Sequence, residues 1–172
     1  MRLQDLKTVE GMSCSIEEHR FLYGFVSLIK PKLIFEVGTH TGISAISMGL
    51  ALRDGGLSTS KIVSADTNET YLRIAQEQIN MFKLTDYIEL KHGDSSLAKK
   101  YPSIDFAFID GNHDYEYCKK DFENLKKATY IVFHDSIAQK GVSKLMEEIS
   151  QSQKYTIINL VSRAGMAIVV RK

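Results

Sequence analysis

Leu33 to Gly42 reads LIFEVGTHTG, a five-residue apolar run interrupted only by Glu36, followed by glycines at Gly38 and Gly42. The run is too short for a helix and is bounded by Pro31 and Gly38, so it predicts a buried strand over residues 33–37. Gly38 lets the chain turn sharply and lets a ligand approach the backbone. Gly42 is expected to let the next helix start close against the sheet. Helical spacing then begins with Ile43, Ile46 and Leu50. A strand running through a glycine turn into a helix is the repeating unit of an α/β fold.

The same alternation extends in both directions. Upstream, Ser15 and Glu18 form a capping-box signature, and Phe21, Leu22, Phe25, Val26 and Ile29 follow at helical spacing until Pro31 ends the helix. Downstream, residues 61–65 read as a strand, and Tyr71, Ile74, Ala75, Ile79 and Phe82 mark a helix. A third strand spans residues 87–90. Residues 104–109, IDFAFI, are apolar on both faces beyond Asp105, as a central parallel strand requires. A helix over 115–127, a strand over 130–133 and a helix bearing Val142, Leu145, Met146 and Ile149 follow. Residues 155–160 and 166–171 are two strands joined by SRAG, a link short enough for an antiparallel pair. The expected fold is α/β: a doubly wound, seven-stranded, mostly parallel sheet with a C-terminal antiparallel hairpin. Residues 1–172 are expected to form a single domain, with 1–30 as an N-terminal helical segment.

Composition excludes several classes. The 22 Lys and Arg residues against 21 Asp and Glu are scattered, so neither nucleic acid nor an anionic membrane is an expected partner. No stretch approaches the roughly 20 apolar residues of a membrane span, and MRLQDLKTVEG lacks a secretory signal core. Cys14 and Cys118 have neither metal-ligand nor redox spacing; Cys118 lies on an apolar helical face with Phe122 and Leu125. A reducing, cytoplasmic setting is expected.

Acids collect at the ends of the predicted strands: Glu36, Asp66, Asp94, Asp110, and Asp135 beside His134. In an open parallel sheet, ligands bind outside the carboxyl ends of the strands, so these acids describe a pocket. Such carboxylates are costly to desolvate unless a cation, a hydroxyl or an N–H meets them. The dinucleotide fingerprint wants three glycines as G-x-G-x-x-G, and His40 stands at the second, which disfavours a phosphate-bearing ligand and a nicotinamide-dependent oxidoreductase. Asp66 ends the second strand, where an acid accepts hydrogen bonds from ribose hydroxyls. Asp94, after Gly93, either receives an adenine amino group or caps the following short helix. Gly111-Asn112-His113-Asp114 is also a metallophosphatase tetrapeptide, but a two-metal site needs more His and Asp ligands than this chain offers.

The chain resembles class I S-adenosylmethionine-dependent methyltransferases over nearly its whole length. EVGTHTG is similar to their first motif, SADTNE to the second and KHGDS to the adenine-contact turn. DFAFIDGNHDYEYCKKDFENL followed by IVFHD, with GMSCSIEEHRFLYGFVSLIKPKLIFEVGT upstream, resembles the small O-methyltransferase branch of cephalosporin-hydroxylase and catechol O-methyltransferase type. The resemblance implies a Rossmann-like methyltransferase fold and S-adenosyl-L-methionine as cofactor. Gly38 with Thr39, His40 and Gly42 would lie at the methionine portion, Asp66 at the ribose, and Asp94 with Ser95 at the adenine. Glu36 would support the turn or the cofactor amino group, and Asp110 would border the cofactor. Relatives carry Pro-Gly-Gly before the fifth strand where this chain has Lys126-Lys127-Ala128-Thr129. That difference is expected to alter a loop beside the acceptor.

Transfer to a hydroxyl of a small-molecule acceptor needs a general base or a divalent cation. His113 and Asp110 are the expected catalytic groups, and His40 is a base or a structural histidine. Tyr115 and Tyr117 are candidates for an aromatic wall, and Lys140 for a contact with a polar acceptor. In the metal-using branch an acid follows the fourth strand and two adjacent oxygen ligands follow the fifth. The corresponding residues are Asp110, His134 and Asp135. Histidine in the middle position favours Mn or Zn over Mg, or else His134 is a base or a structural group. A non-catalytic cofactor-binding role and a homodimer also stay open.

Overall fold

The computed structural model describes residues 2, 3, 5 and 14–172. The remainder of the predicted N-terminal segment, residues 1, 4 and 6–13, lies outside the described residues.

The elements run in the predicted alternation: α1 (Ile16–Ile29), β1 (Leu33–Val37), α2 (Ile43–Asp54), β2 (Lys61–Asp66), α3 (Glu69–Phe82) and β3 (Ile88–His92). A short 3-10 helix (Ser95–Lys100) leads to β4 (Phe106–Ile109), α4 (Tyr115–Leu125), β5 (Tyr130–His134), α5 (Lys140–Gln151), β6 (Tyr155–Leu160) and β7 (Met166–Arg171). The sheet order is β3-β2-β1-β4-β5-β7-β6. Neighbours from β3 through β5 pair in parallel, and β7 runs antiparallel to both β5 and β6. The chain starts in the middle, winds outward to β3, then returns across β1 to build the other half. The split between β1 and β4 is the topological switch point, where such sheets open a binding crevice.

Strand periodicity decides which side chains face which layer. Phe106 and Phe108 of β4 join Ile34, Ile62 and Val132 against α1 and α2. Ala107 and Ile109 join Phe35, Val63 and Phe133 against α4 and α5. Helix α2 differs from its predicted one-sided reading. Every residue from Ile43 to Leu52 is buried, because α1 covers the face that α2 turns away from the sheet. Ser44 and Ser47 are accommodated there by hydrogen bonds to Glu36 Oε1 (2.5 Å) and the Ile43 carbonyl (2.8 Å).

Helix α1 starts as predicted: Ser15 Oγ accepts from the Glu18 N–H and Glu18 Oε2 accepts from the Ser15 N–H at 2.6 Å. It ends at Ile29, two residues before Pro31, with its cap Lys30 in the left-handed region at φ 47°. Two glycines need comment. Gly38 has φ +92°, and a Cβ there would stand 2.1 Å from the Asp110 carbonyl oxygen. Gly42 does not serve contact with the sheet: its Cβ would meet Ala75 Cβ of α3 at 2.9 Å, so it is the α2–α3 approach that requires it. The turn Lys126–Thr129 also differs from expectation. It precedes the first residue of β5, at the opposite end from His134, so its missing Pro-Gly-Gly leaves the site edge untouched.

Gly38→Ala should lower unfolding stability by more than about 2 kcal/mol in urea titration, because both the backbone angle and the space forbid a methyl. Gly24→Ala, mid-helix in α1 with nothing within 4 Å of the added carbon, should raise it by about 0.5–1 kcal/mol.

Candidate active site

The strand-end loops of β1, β2 and β3 form one wall of a cleft of about 420 Å³, and the loop after β4 with the outer face of α4 forms the other. Gly38, His40, Asp66, Tyr71 and Asp94 face Asp110, Asn112, Tyr117, Lys120 and Asp121 across it. Asp66 is oriented by two backbone donors: His40 N–H to Oδ2 (2.8 Å) and Asn68 N–H to Oδ1 (2.9 Å). His40 itself sits at φ 47°, unusual for a residue with a side chain, and its ring leans on Tyr71 with centroids 4.3 Å apart. Asp94 takes the capping role and also stands at the cleft. It caps the 3-10 helix through Ser96 N–H (2.9 Å) and remains at the cleft, where Lys120 Nζ lies 2.8 Å from Oδ2. The Lys120 ammonium and the Ser96 bonds hold its carboxyl well below the usual carboxylate range.

Glu36 lies beneath this wall and does not line the cleft. It is fully buried, accepting from the hydroxyls of Ser44 and Ser64, and the Ser64 hydroxyl also meets Thr39 Oγ1 at 2.6 Å. Burial, with smaller repulsion from Asp110 and Asp66, pushes its carboxyl up to about 7. Thr39 and Gly42 are likewise behind the wall. Ser95 is fully buried, its Oγ accepting from Asn124 Nδ2 at 2.9 Å, so its side chain anchors α4 and does not face the cleft.

Asp110 belongs to the cleft and also to a cluster of acids and imidazoles beyond it. The parallel pairing of β4 with β5 puts Asp110 beside His134 and Asp135. His134 Nδ1 lies 3.1 Å from both Asp110 Oδ1 and Asp135 Oδ2. His113, from the loop after β4, places Nε2 at 2.9 Å from Asp135 Oδ2 and 3.4 Å from Asp110 Oδ1. Asp135 adopts φ 59°, a strained angle at the point where the chain leaves β5. Helix α1 and the residue before its cap supply two members that the strand-end pattern does not place here. Glu18 Oε2 is 3.2 Å from His134 Nε2, off the line of a hydrogen bond, and Cys14 Sγ is 3.7 Å from Asp110 Oδ2. Glu18 is fixed from its other side by Ser162 Oγ at 2.5 Å.

The charges explain one another. Hydrogen bonds to Asp110 and Asp135 raise the His113 pKa to about 9 against partial burial. Burial alone would keep His134 neutral, but Asp110 and Asp135 outweigh it and raise its pKa far above the ordinary histidine value. Burial opposes ionisation of Asp135, yet the two imidazoles hold its carboxyl well below the usual range. Burial pushes the Cys14 thiol up to about 11. Asp110, His113 and Asp135 have one donor atom each within 4.8 Å of one another, as do Cys14, Asp110 and His134.

The structure therefore brings together Asp66, Asp94, His40, Gly38 and Asp110 at the cleft, and Asp110, His113, His134 and Asp135 in the cluster. Tyr117 lines the cleft, while Tyr115 bonds Glu148 on α5 and sits off it. Lys140 opens α5 as an exposed lysine. Cys118 is buried as expected, and its thiol donates to the Asn112 carbonyl at 3.1 Å, pinning the loop that carries His113.

Residues 35–136, from β1 past β5, match the profile of the methyltransferase-domain family. The chain belongs to this family. The methyltransferase domain is 29% identical over 139 residues to a caffeoyl-CoA O-methyltransferase of Mesembryanthemum crystallinum, covering 76% of this chain and 53% of that protein. It is 30% identical to caffeoyl-CoA O-methyltransferase 2 of Petunia hybrida, covering 76% and 56%. The chain thus spans about half the length of these relatives. Its fold is similar to an O-methyltransferase from Bacillus cereus in complex with SAH (TM-score 0.78, 22% identity, 99% and 90% of the two chains). It is also similar to a structure from Staphylococcus aureus described as a putative caffeoyl-CoA O-methyltransferase (TM-score 0.79, 16% identity, 98% and 90%). The seven-stranded sheet with its antiparallel β7 is the fold of these neighbours. Among the described residues no helix is long and apolar enough to cross a membrane.

Glu36 gives this domain a measurable pH signature. Its folded-state pKa of about 7 lies above the ordinary value of 4.5, so its stabilising protonated state is fully present below pH 4.5 and is lost as pH rises through 7. Relative to Glu36→Gln, the wild type should lose about 3 kcal/mol across that window and no more above it, in urea titrations at successive pH values.

Proposed function

We propose that this chain is an S-adenosylmethionine-dependent O-methyltransferase acting on a hydroxyl of a small-molecule acceptor, with assistance from a divalent cation. The observation that supports it most directly is the position of Asp110, which lines the cofactor-sized cleft and is also part of the acid–imidazole cluster. A donor bound in the cleft and an acceptor over the cluster would meet at this residue.

In this reading the cofactor's methionine portion lies along Gly38 and His40, where the positive-φ turn exposes backbone to the cleft. Asp66 accepts from the ribose hydroxyls, its orientation already fixed by the His40 and Asn68 amides. The adenine amino group shares the Asp94 carboxylate with Lys120, and the Ser95 backbone, not its buried side chain, borders the ring. Glu36 acts from below, holding α2 and β2 together under the turn.

Methyl transfer is an in-line displacement: an acceptor oxygen attacks the methyl carbon, the carbon–sulfur bond breaks, and its electron pair stays on sulfur. The hydroxyl proton must also leave. His113 is a poor base in the metal-free protein, because its carboxylate partners keep it protonated at neutral pH. A bound divalent cation would supply electrostatic stabilisation of the acceptor's oxyanion. Asp110 and Asp135 with His113 fit such an ion on the open side, and His134 orients both carboxylates from behind. His113 thus joins Asp110 and Asp135 as the outward-facing nitrogen donor, while His134, only 3% exposed, faces inward.

Calorimetry with S-adenosylhomocysteine should show saturable binding and NAD none. Asp66→Ala should weaken that binding by about 10–100-fold, the 1–3 kcal/mol of lost charged hydrogen bonds. Unchanged affinity would reject the ribose assignment. Chelation, and separately Asp110→Asn, should abolish methyl transfer across a panel of phenols and other hydroxyl acceptors while S-adenosylhomocysteine binding persists. Full turnover in excess EDTA would remove the cation from the scheme.

A further inference from the structure

The two oxygens of Asp110 face different neighbours. Oδ1 faces His134 at 3.1 Å and His113 at 3.4 Å, whereas Oδ2 faces Cys14 Sγ at 3.7 Å. Behind the open trio lies a second one, Cys14, Asp110 and His134, whose donor atoms also fall within 4.8 Å of one another. It is the more enclosed: Cys14 is 1% and His134 3% exposed. His134 Nε2 is also buried and makes no hydrogen bond among the described residues, its neighbour being Glu18 Oε2 at 3.2 Å.

We propose that Cys14 is a metal ligand, and that Cys14, Asp110 and His134 form a thiolate–carboxylate–imidazole site selective for a zinc-type ion over magnesium. The proposal rests on the cation-assisted reading above and seats the ion at this enclosed trio in place of the open one, with His134 as a ligand and no longer only an orienting group. A tetrahedral zinc with sulfur at about 2.3 Å and oxygen or nitrogen at about 2.0–2.2 Å sets its ligands about 3.3–3.7 Å apart. The Cys14–Asp110 separation matches that spacing, and the imidazole must release its hydrogen bonds to Asp110 and Asp135 to join them. Magnesium prefers oxygen donors and keeps its waters, so an enclosed sulfur–nitrogen–oxygen set disfavours it. The open trio of Asp110, His113 and Asp135 contains no sulfur and lacks this selectivity.

Local structure explains how a cysteine outside any strand-end loop reaches the site. Cys14 precedes the N-cap of α1. The capping box ties Ser15 to Glu18 (2.6 Å), and Glu18 is tied in turn to Ser162 of the β6–β7 turn (2.5 Å). The residue before the cap is thereby held over the end of β4. Coordination would release the thiol proton to solvent and leave the sulfur as thiolate. Cys118 lies elsewhere, with its sulfur directed at the Asn112 carbonyl.

The test is cobalt titration of the chelator-stripped protein followed by absorption spectroscopy. The expected result is a thiolate-to-cobalt charge-transfer band that saturates at one equivalent and disappears with zinc but not with excess magnesium. Cys14→Ser should remove the band and weaken cobalt binding at least tenfold, with S-adenosylhomocysteine binding unchanged; His113→Gln should keep the band. X-ray absorption of the zinc-loaded wild type should show one sulfur at about 2.3 Å, a readout independent of any variant. Cobalt binding without a thiolate band, insensitive to Cys14→Ser and lost in His113→Gln, would overturn the assignment and leave the open trio holding the ion. No cobalt binding at all, with methyl transfer intact in chelator, would overturn the cation-assisted reading as well.

Discussion

The close passage of Gly38 against the Asp110 carbonyl is the constraint on which this site is built. The parallel ladder brings β1 and β4 to adjacent ends, and the Asp110 N–H bonds the Val37 carbonyl at 2.9 Å. At that distance no Cβ fits on residue 38, so glycine is required for the two loops to part in opposite directions. The β1 loop turns toward β2 and β3, which contribute Asp66 and Asp94 to the cleft. The β4 loop turns toward β5, which contributes His134 and Asp135. Asp110 stands at the divide and serves both sides.

Collecting carboxylates here carries a desolvation cost that each acid offsets differently. Asp66 is met by backbone amides, Asp94 by Lys120, and Glu36 by two serine hydroxyls that do not suffice to keep it ionised throughout the neutral range. In the cluster, Glu18, Asp110 and Asp135 share His113 and His134. With both imidazoles protonated, three negative charges face two positive ones. Removing either histidine would leave buried carboxylates uncompensated, which costs more than the pair itself contributes. The arrangement suits exchange of imidazole protons for a divalent cation, which meets the same carboxylates with equal or greater charge.

Much of the fold was legible because its signals are local. Alternating apolar runs, the capping box at Ser15 and Glu18, and Gly38 all act within a few residues, and the structure follows them to within one or two positions. The apolar strand IDFAFI marked the sheet's centre for the same reason. Juxtapositions across long sequence separations were only partly legible. Parallel strand order placed Asp110 beside His134 and Asp135, since strand ends are predictable once strands are. It did not place Glu18, Cys14 or Lys120, because those positions depend on how α1 and α4 pack. Glu18 was readable as a cap, and nothing local signals that one oxygen caps while the other bonds Ser162. Tyr115 and Ser95 show the opposite case: they lie close in sequence to site residues, but their side chains turn toward neighbouring helices.

The occupants of these acids show how the folded chain tolerates such a site. Lys120 holds the oxygen of Asp94 that the adenine amino group would share, and the imidazole of His113 spans the carboxylates that a cation would take. Each ligand would therefore share or replace a donor already in place and would not enter an unpaired field. Such an exchange contributes less net affinity than capture by unpaired charge, since the displaced contacts must be made good elsewhere. In return the loops keep their shape: the left-handed angles at His40 and Asp135 are held by surrounding bonds on both sides of Asp110. Preorganisation of that kind is what in-line methyl transfer requires, because the donor carbon and the acceptor oxygen must be aligned before the carbon–sulfur bond breaks.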